Sequence, residues 1–209
     1  MYGLYVVTDE KLSHGLSHTE ITRRAVAGGA EMMQLRDKEK SSRELYETAC
    51  EMREICRERA VFIVNDRLDI ALASGADGVH LGQDDLPVPK ARRLSPENFL
   101  IGVSVGSVRE AVAAETAGAD YVSVSPVFAT RSKTDARKVC GITALREIRA
   151  AVHCSVIGIG GVNSGNTPEL IAAGLDGVAV ISAVVSAPDI TEAASCLATV
   201  IQKAKGKRS

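Results

Sequence analysis

Eight short apolar runs punctuate the chain: GLYVVT at 3–8, EMMQLR at 31–36, VFIVN at 61–65, GVHLG at 78–82, LIGVSV at 100–105, DYVSVS at 120–125, SVIGI at 155–159 and GVAVI at 177–181. Their Val and Ile content suits strands of a parallel sheet that is covered on both faces. The segments between them carry helical patterns. Four junctions share one form, AGGAEMMQL, ASGADGVHLG, TAGADYVSVS and AAGLDGVAVI, in which a small-residue helix end runs into Gly, then an acidic residue, then a strand. Gly at that point supplies a left-handed cap, and two or three residues are enough to begin the next strand. Ser17 with Glu20, Ser41 with Glu44 and Ser107 with Glu110 have capping-box spacing. Thr167-Pro168-Glu169 predicts a further helix start, with Thr167 as cap and Pro168 at the first helical position.

Alternation of this kind predicts an α/β fold, a single-domain (β/α)₈ TIM barrel over residues 1–209 with a frayed tail across 203–209. A doubly wound open sheet would put the eighth strand at an edge, and GVAVISAVV is too uniformly apolar for one. Composition agrees: aromatic residues make up 3% of the chain and Trp is absent, so the core must be aliphatic. A formal net charge of −1, with no Arg-rich face interleaved with aromatics, argues against a nucleic-acid partner. The N-terminal MYGLYVVTDE lacks the regions of a signal peptide and no apolar run reaches membrane-spanning length, so a cytoplasmic protein without membrane contact is expected. Five cysteines without a CxxC pair read as reduced thiols rather than a disulfide framework or zinc site. His14 and His18, four apart with no third ligand nearby, read as surface residues of a loop and a helix start.

In such a barrel the site is built by the loops that follow the strands. After the second strand, Gln34, Arg36 and Lys38 share a face and suggest an anionic ligand. Asn65-Asp66 ends the third strand and Gly82-Gln83-Asp84-Asp85 follows the fourth. Two carboxylates beside an amide are the hard-oxygen set that suits Mg²⁺, although Asp66 would equally serve to cap the helix RLDIALA. His80 reads as a hydrogen-bonded imidazole lining the barrel. Ser104 closes the fifth strand with no His following it to make it a nucleophile, so it reads as a hydrogen-bond donor. The loop Ser125 to Thr134 is rich in hydroxyls and cations and suits ligand closure. Gly160-Gly161 and Ile181-Ser182 stand where this fold cradles phosphate.

Seven motifs in order, QLRDK, VNDR, DGVHLGQDD, IGVSV, SPVFATRSK, IGGV and VISA, resemble the thiamine-phosphate synthase family over nearly the whole length. The resemblance implies a Mg²⁺-dependent transferase of thiamine biosynthesis. It would join 4-amino-5-hydroxymethyl-2-methylpyrimidine diphosphate to 4-methyl-5-(2-phosphoethyl)thiazole and release pyrophosphate. On that basis Gln34, Arg36, Lys38, Asn65, Ser104 and Lys133 match positions that meet the pyrimidine diphosphate, and Asp66 and Asp85 match metal ligands. Thr130, Ser132, Gly161, Ile181 and Ser182 match the thiazole phosphate site, and Arg36, Ser104 and Lys133 would carry catalysis. Two departures stand out: Ser132 where many members have Thr, and Gly106 where many have His. A thiazole tautomerase of the same superfamily and a non-catalytic barrel that senses thiamine precursors are the competing readings, followed by a Schiff-base aldolase using Lys133. Self-association into a homo-oligomer is left open.

Overall fold

The computed structural model describes residues 2–130 and 139–207. Its strands are β1 (Leu4–Val7), β2 (Met32–Leu35), β3 (Val61–Asn65), β4 (Gly78–Leu81), β5 (Leu100–Val105), β6 (Tyr121–Val124), β7 (Ser155–Ile159) and β8 (Gly177–Val180). Every pair of neighbours is parallel, and β8 pairs with β1 through Leu4–Val178, Tyr5–Ala179 and Val6–Val180, so the sheet closes into the expected barrel. Each strand lies within one residue of its expected run at either end.

Around the strands are α1 (His18–Ala27), α2 (Ser42–Cys56), α3 (Leu68–Ala73), α4 (Val88–Leu94), α5 (Val108–Thr116), α6 (Gly141–Ala151), α7 (Thr167–Ala172), the short α8 (Ser182–Val185) and α9 (Ile190–Gly206). Of the three predicted capping boxes, Ser41 alone makes both reciprocal bonds. Ser17 and Ser107 accept from the backbone N–H of Glu20 and Glu110, but the Glu20 carboxylate turns to Arg23 and Arg24, and that of Glu110 to the Gly106 N–H. The cap of α7 is Asn166 rather than Thr167, because the chain enters the helix through a turn in which Asn163 accepts from the N–H groups of Gly165 and Asn166. α9 continues through Gly206, into the stretch expected to fray, and Lys205 Nζ donates to the Tyr2 carbonyl at 2.5 Å.

Side-chain parity sorts each strand into two cores. Leu4, Val6, Met33, Leu35, Phe62, Val64, Val79, Ile101, Val122 and Val178 point outward under the helices. Tyr5, Val7, Met32, Ile63, Tyr121, Ile157, Ile159 and Ala179 fill the barrel itself. Gly102 makes the interior filling fit: a Cβ there would lie 2.0 Å from Cζ of Tyr121, so the missing side chain is the space that ring occupies.

The acidic residue of the repeated junctions has a physical reason. Asp77 Oδ2 accepts from the Phe62 N–H at 2.8 Å, Asp120 Oδ2 from Ile101 at 2.7 Å and Asp176 Oδ2 from Val156 at 2.8 Å. Each also pairs with an arginine, Arg53, Arg92 and Arg149 respectively. The carboxylate thus satisfies the N–H of the second residue of a neighbouring strand, at the barrel end opposite the site, and ties it to a helix. Glu31, in the first junction, makes no such bond in the described residues. Asp176→Ala should strand the Val156 N–H and lower stability by about 1–3 kcal/mol. Thermal melting should register about 2–4 °C for each kcal/mol, with catalysis unchanged.

Candidate active site

A cavity of about 410 Å³ opens at the C-terminal mouth of the barrel, a volume that suits a small-molecule ligand. Its wall includes Arg36, Lys38, Asn65, Asp66, Asp85, Ser104, Thr130, Gly161, Ile181 and Ser182, together with His80. Residues from seven different strand ends are therefore brought together. Ser132 and Lys133 lie outside the described residues. Gln34 is 4% exposed and does not line the cavity; it is held inside the barrel, where its Nε2 donates to Tyr5 OH.

The third strand ends abruptly because its last residues are bent toward the mouth. The Asp66 N–H extends the ladder to the His80 carbonyl at 2.8 Å, and the next N–H, of Arg67, turns back to the Asn65 carbonyl at 2.7 Å. Asp66 sits at φ +61, so this is the rare γ-turn with positive φ, a strained conformation that Asp tolerates better than most residues. Asp66 does not cap α3, whose cap position is Arg67 without a side-chain bond. Its carboxylate instead meets Asp85, within hydrogen-bonding reach. Asp85 is held by the Gly82 N–H, 2.6 Å from its Oδ2. Burial, and then the facing Asp85, push the Asp66 carboxyl up to about 6, against the pull of Lys38 and Arg36. Lys38 Nζ stands 3.9 Å from Asp66 Oδ2.

Two carboxylates that face each other in a half-buried pocket resist joint ionisation unless a cation lies between them. The donor set, hard oxygens within an open cavity able to admit phosphate and water, fits Mg²⁺. A second group, Glu10, His18 and Asp37, also brings its ligand atoms within 4.8 Å of one another. Its atoms are already engaged: His18 Nδ1 meets Thr8 Oγ1 at 2.7 Å, His18 Nε2 meets Asp37 Oδ2 at 3.1 Å, and Lys40 Nζ donates to Glu10 Oε2 at 2.9 Å. His18 is thus not a surface residue; at 1% exposure it ties the loops after β1 and β2 together.

His80 is the barrel-lining imidazole the sequence suggested, with Nδ1 3.1 Å from Tyr121 OH and Nε2 2.9 Å from Ser104 Oγ. A histidine does therefore reach Ser104, though from the adjacent strand and not from the residues that follow it. At the opposite wall Gly160 and Gly161 have φ +98 and +65, and a Cβ on either would lie within 2.6 Å or 2.7 Å of the loop after β6. The N–H groups of Val127 and Phe128 in that loop donate to the Ile159 and Gly160 carbonyls, so these glycines are required by loop packing alone. Gly106 is uncrowded at its α-carbon, the nearest atom to a Cβ there being 3.7 Å away.

A family model described as thiamine monophosphate synthase matches residues 4–184. The thiamine-phosphate synthase of Methanocella arvoryzae is 57% identical over 203 residues, covering 97% of this chain and 96% of its own. That of Methanoculleus marisnigri is 56% identical, covering 99% and 98%. Among solved structures, thiamine phosphate pyrophosphorylase from Pyrococcus furiosus superposes with a TM-score of 0.89 at 41% identity, covering 97% of this chain and 96% of that one.

Because the folded Asp66 carboxyl binds its proton more tightly than an unfolded one, its contribution to stability is full below about pH 4 and is lost as pH rises through about 6. Asp66→Asn should therefore gain in melting temperature over the unaltered protein between about pH 4 and pH 7, by roughly 5 °C. Added Mg²⁺ should stabilise the unaltered protein more at the upper pH, and the variant at neither.

Proposed function

The chain belongs to the thiamine monophosphate synthase family, and from that premise we propose that it couples the pyrimidine diphosphate to the nitrogen of the thiazole phosphate in the 410 Å³ cavity, yielding thiamine phosphate and pyrophosphate. It is a transferase of thiamine biosynthesis. The observation that carries the reading of the site is the meeting of Asp66 and Asp85 from adjacent strand ends, in one wall with Arg36 and Lys38.

The reaction needs no protein nucleophile. As the carbon–oxygen bond to the diphosphate breaks, negative charge grows on the leaving group and positive charge on the pyrimidine, which the neutral thiazole nitrogen then attacks. Catalysis is the stabilisation of that leaving group by charges fixed in advance. Mg²⁺, when held by Asp66 and Asp85, supplies the largest of those charges. Arg36 and Lys38 add theirs from the cavity wall, and Lys133, outside the described residues, is assigned to the same task by its sequence match. A unit charge at 4 Å is worth on the order of 4 kcal/mol at an effective dielectric near 20, so each weighs heavily on the rate. Asn65 and Ser104 hold the pyrimidine diphosphate, with Gln34 buried behind the cavity wall. Thr130, Gly161, Ile181 and Ser182 hold the thiazole phosphate on the far side, where hydroxyl and backbone donors suit a phosphate that does not leave, and Ser132, outside the described residues, is assigned to that phosphate by its sequence match.

A thiazole tautomerase has no use for paired carboxylates facing a diphosphate site, and their presence supports the synthase. Purified protein given both substrates and Mg²⁺ should release pyrophosphate, and omission of either substrate or the metal should stop it. Asp66→Ala should lower kcat/KM by at least about 10²-fold, the scale of one lost charge contact. Isomerisation of a thiazole carboxylate phosphate without pyrophosphate release would move the assignment to the tautomerase.

A further inference from the structure

A single file of hydrogen bonds crosses the barrel interior from a buried amide to a hydroxyl in the cavity wall. Gln34 Nε2 donates to Tyr5 OH at 2.5 Å, and Tyr5 OH lies 3.2 Å from Tyr121 OH. Tyr121 OH lies 3.1 Å from His80 Nδ1, and His80 Nε2 lies 2.9 Å from Ser104 Oγ. Each phenol has one proton and two partners, so it must give to one and accept from the other. The direction set at one end is therefore imposed on the whole file.

With Gln34 donating, Tyr5 gives its proton to Tyr121 and Tyr121 gives its own to Nδ1 of His80. Nδ1 is then an acceptor, so the neutral ring carries its proton on Nε2 and donates to Ser104. The serine oxygen accepts from within and its own proton is left to point into the cavity. In the reverse order Ser104 would donate inward and present only lone pairs to the cavity.

Two observations select the first order. The Gln34 amide meets Tyr5 OH through Nε2, and among the described residues a reversed amide would give its two N–H groups no protein partner. The cavity also holds Arg36 and Lys38, which suit an acceptor-rich ligand that a hydroxyl can serve only by donating. Burial raises the pKa of both Tyr5 and Tyr121, so the phenols keep the protons the file requires.

We propose that Gln34, Tyr5, Tyr121 and His80 are positioning residues that act through Ser104, fixing its hydroxyl as a one-way donor to the pyrimidine diphosphate. The identity of that acceptor rests on the function proposed above; the proton order does not. The file also gives the buried Gln34 a role that needs no direct contact with substrate.

The test is the tautomer of His80 in ¹⁵N-histidine-labelled protein, its signal assigned by its loss in His80→Gln. The unaltered protein should show the Nε2–H form. Tyr121→Phe removes the donor to Nδ1, and Tyr5→Phe cuts Tyr121 off from the Gln34 end that sets its direction, so both should lose that fixed form. Tyr121→Phe should lower kcat/KM for the pyrimidine diphosphate by about tenfold, one hydrogen bond's worth, and should have no further effect once Ser104→Ala is in place. The Nδ1–H form in the unaltered protein would overturn the proposal, whatever the variants do, and so would an undiminished tenfold loss in the Ser104→Ala background. If the unaltered protein releases no pyrophosphate, the functional reading falls, and the tautomer alone still decides the proton order.

Discussion

The pairing of β8 with β1 is the constraint on which everything else depends. A parallel sheet left open would expose two edges, and its strand ends would fan apart with the twist. Closure removes the edges and gathers the C-terminal ends of all eight strands around one mouth. Once that is done, the parity of each strand decides what each residue can be used for. Odd and even positions cannot exchange roles without turning the barrel inside out. Tyr5 and Val7, Gln34, Asn65, His80, Ser104 and Tyr121 all lie on inward parity, and only those near the mouth have access to a ligand.

The barrel was legible in the sequence because strands buried on both faces are written as short uninterrupted apolar runs, and because the αβ junctions repeat. The individual mouth residues were legible for a related reason: polar side chains placed directly after such runs have few purposes other than a site. What was not legible came from contacts between segments. His18 looked like a solvent residue because its partners, Thr8 and Asp37, belong to two other loops. The His80–Ser104 pair was hidden because the two residues are neighbours across the sheet and not along the chain. Thr167 was displaced from the cap position by a side-chain turn around Asn163 and Asn166 that spacing alone does not reveal. The tyrosines, only four in the whole chain, gave no sign that two of them meet inside the barrel.

Two kinds of strain meet at the mouth. Asp66 adopts a positive φ that costs on the order of 1–3 kcal/mol, and its carboxylate faces another. Neither is useful to a folded protein on its own account. Under the proposed function both become intelligible: a divalent cation and a diphosphate would complete the arrangement, with the bend at Asp66 aiming one ligand and the Gly82 N–H steadying the other. On that reading the apparent flaw is a form of preorganisation: a repulsion present before the substrate arrives would be relieved by it.

The three aspartate–arginine clamps lie at the other rim, out of reach of this chemistry. They hold strand to helix where no substrate ever comes. Evolution can therefore rewrite the upper loops, lengthening one or exchanging a cation for a hydroxyl, while the lower rim keeps the staves in register. Such a division of labour makes the barrel a chassis for new catalysts, with shape and reactivity inherited separately.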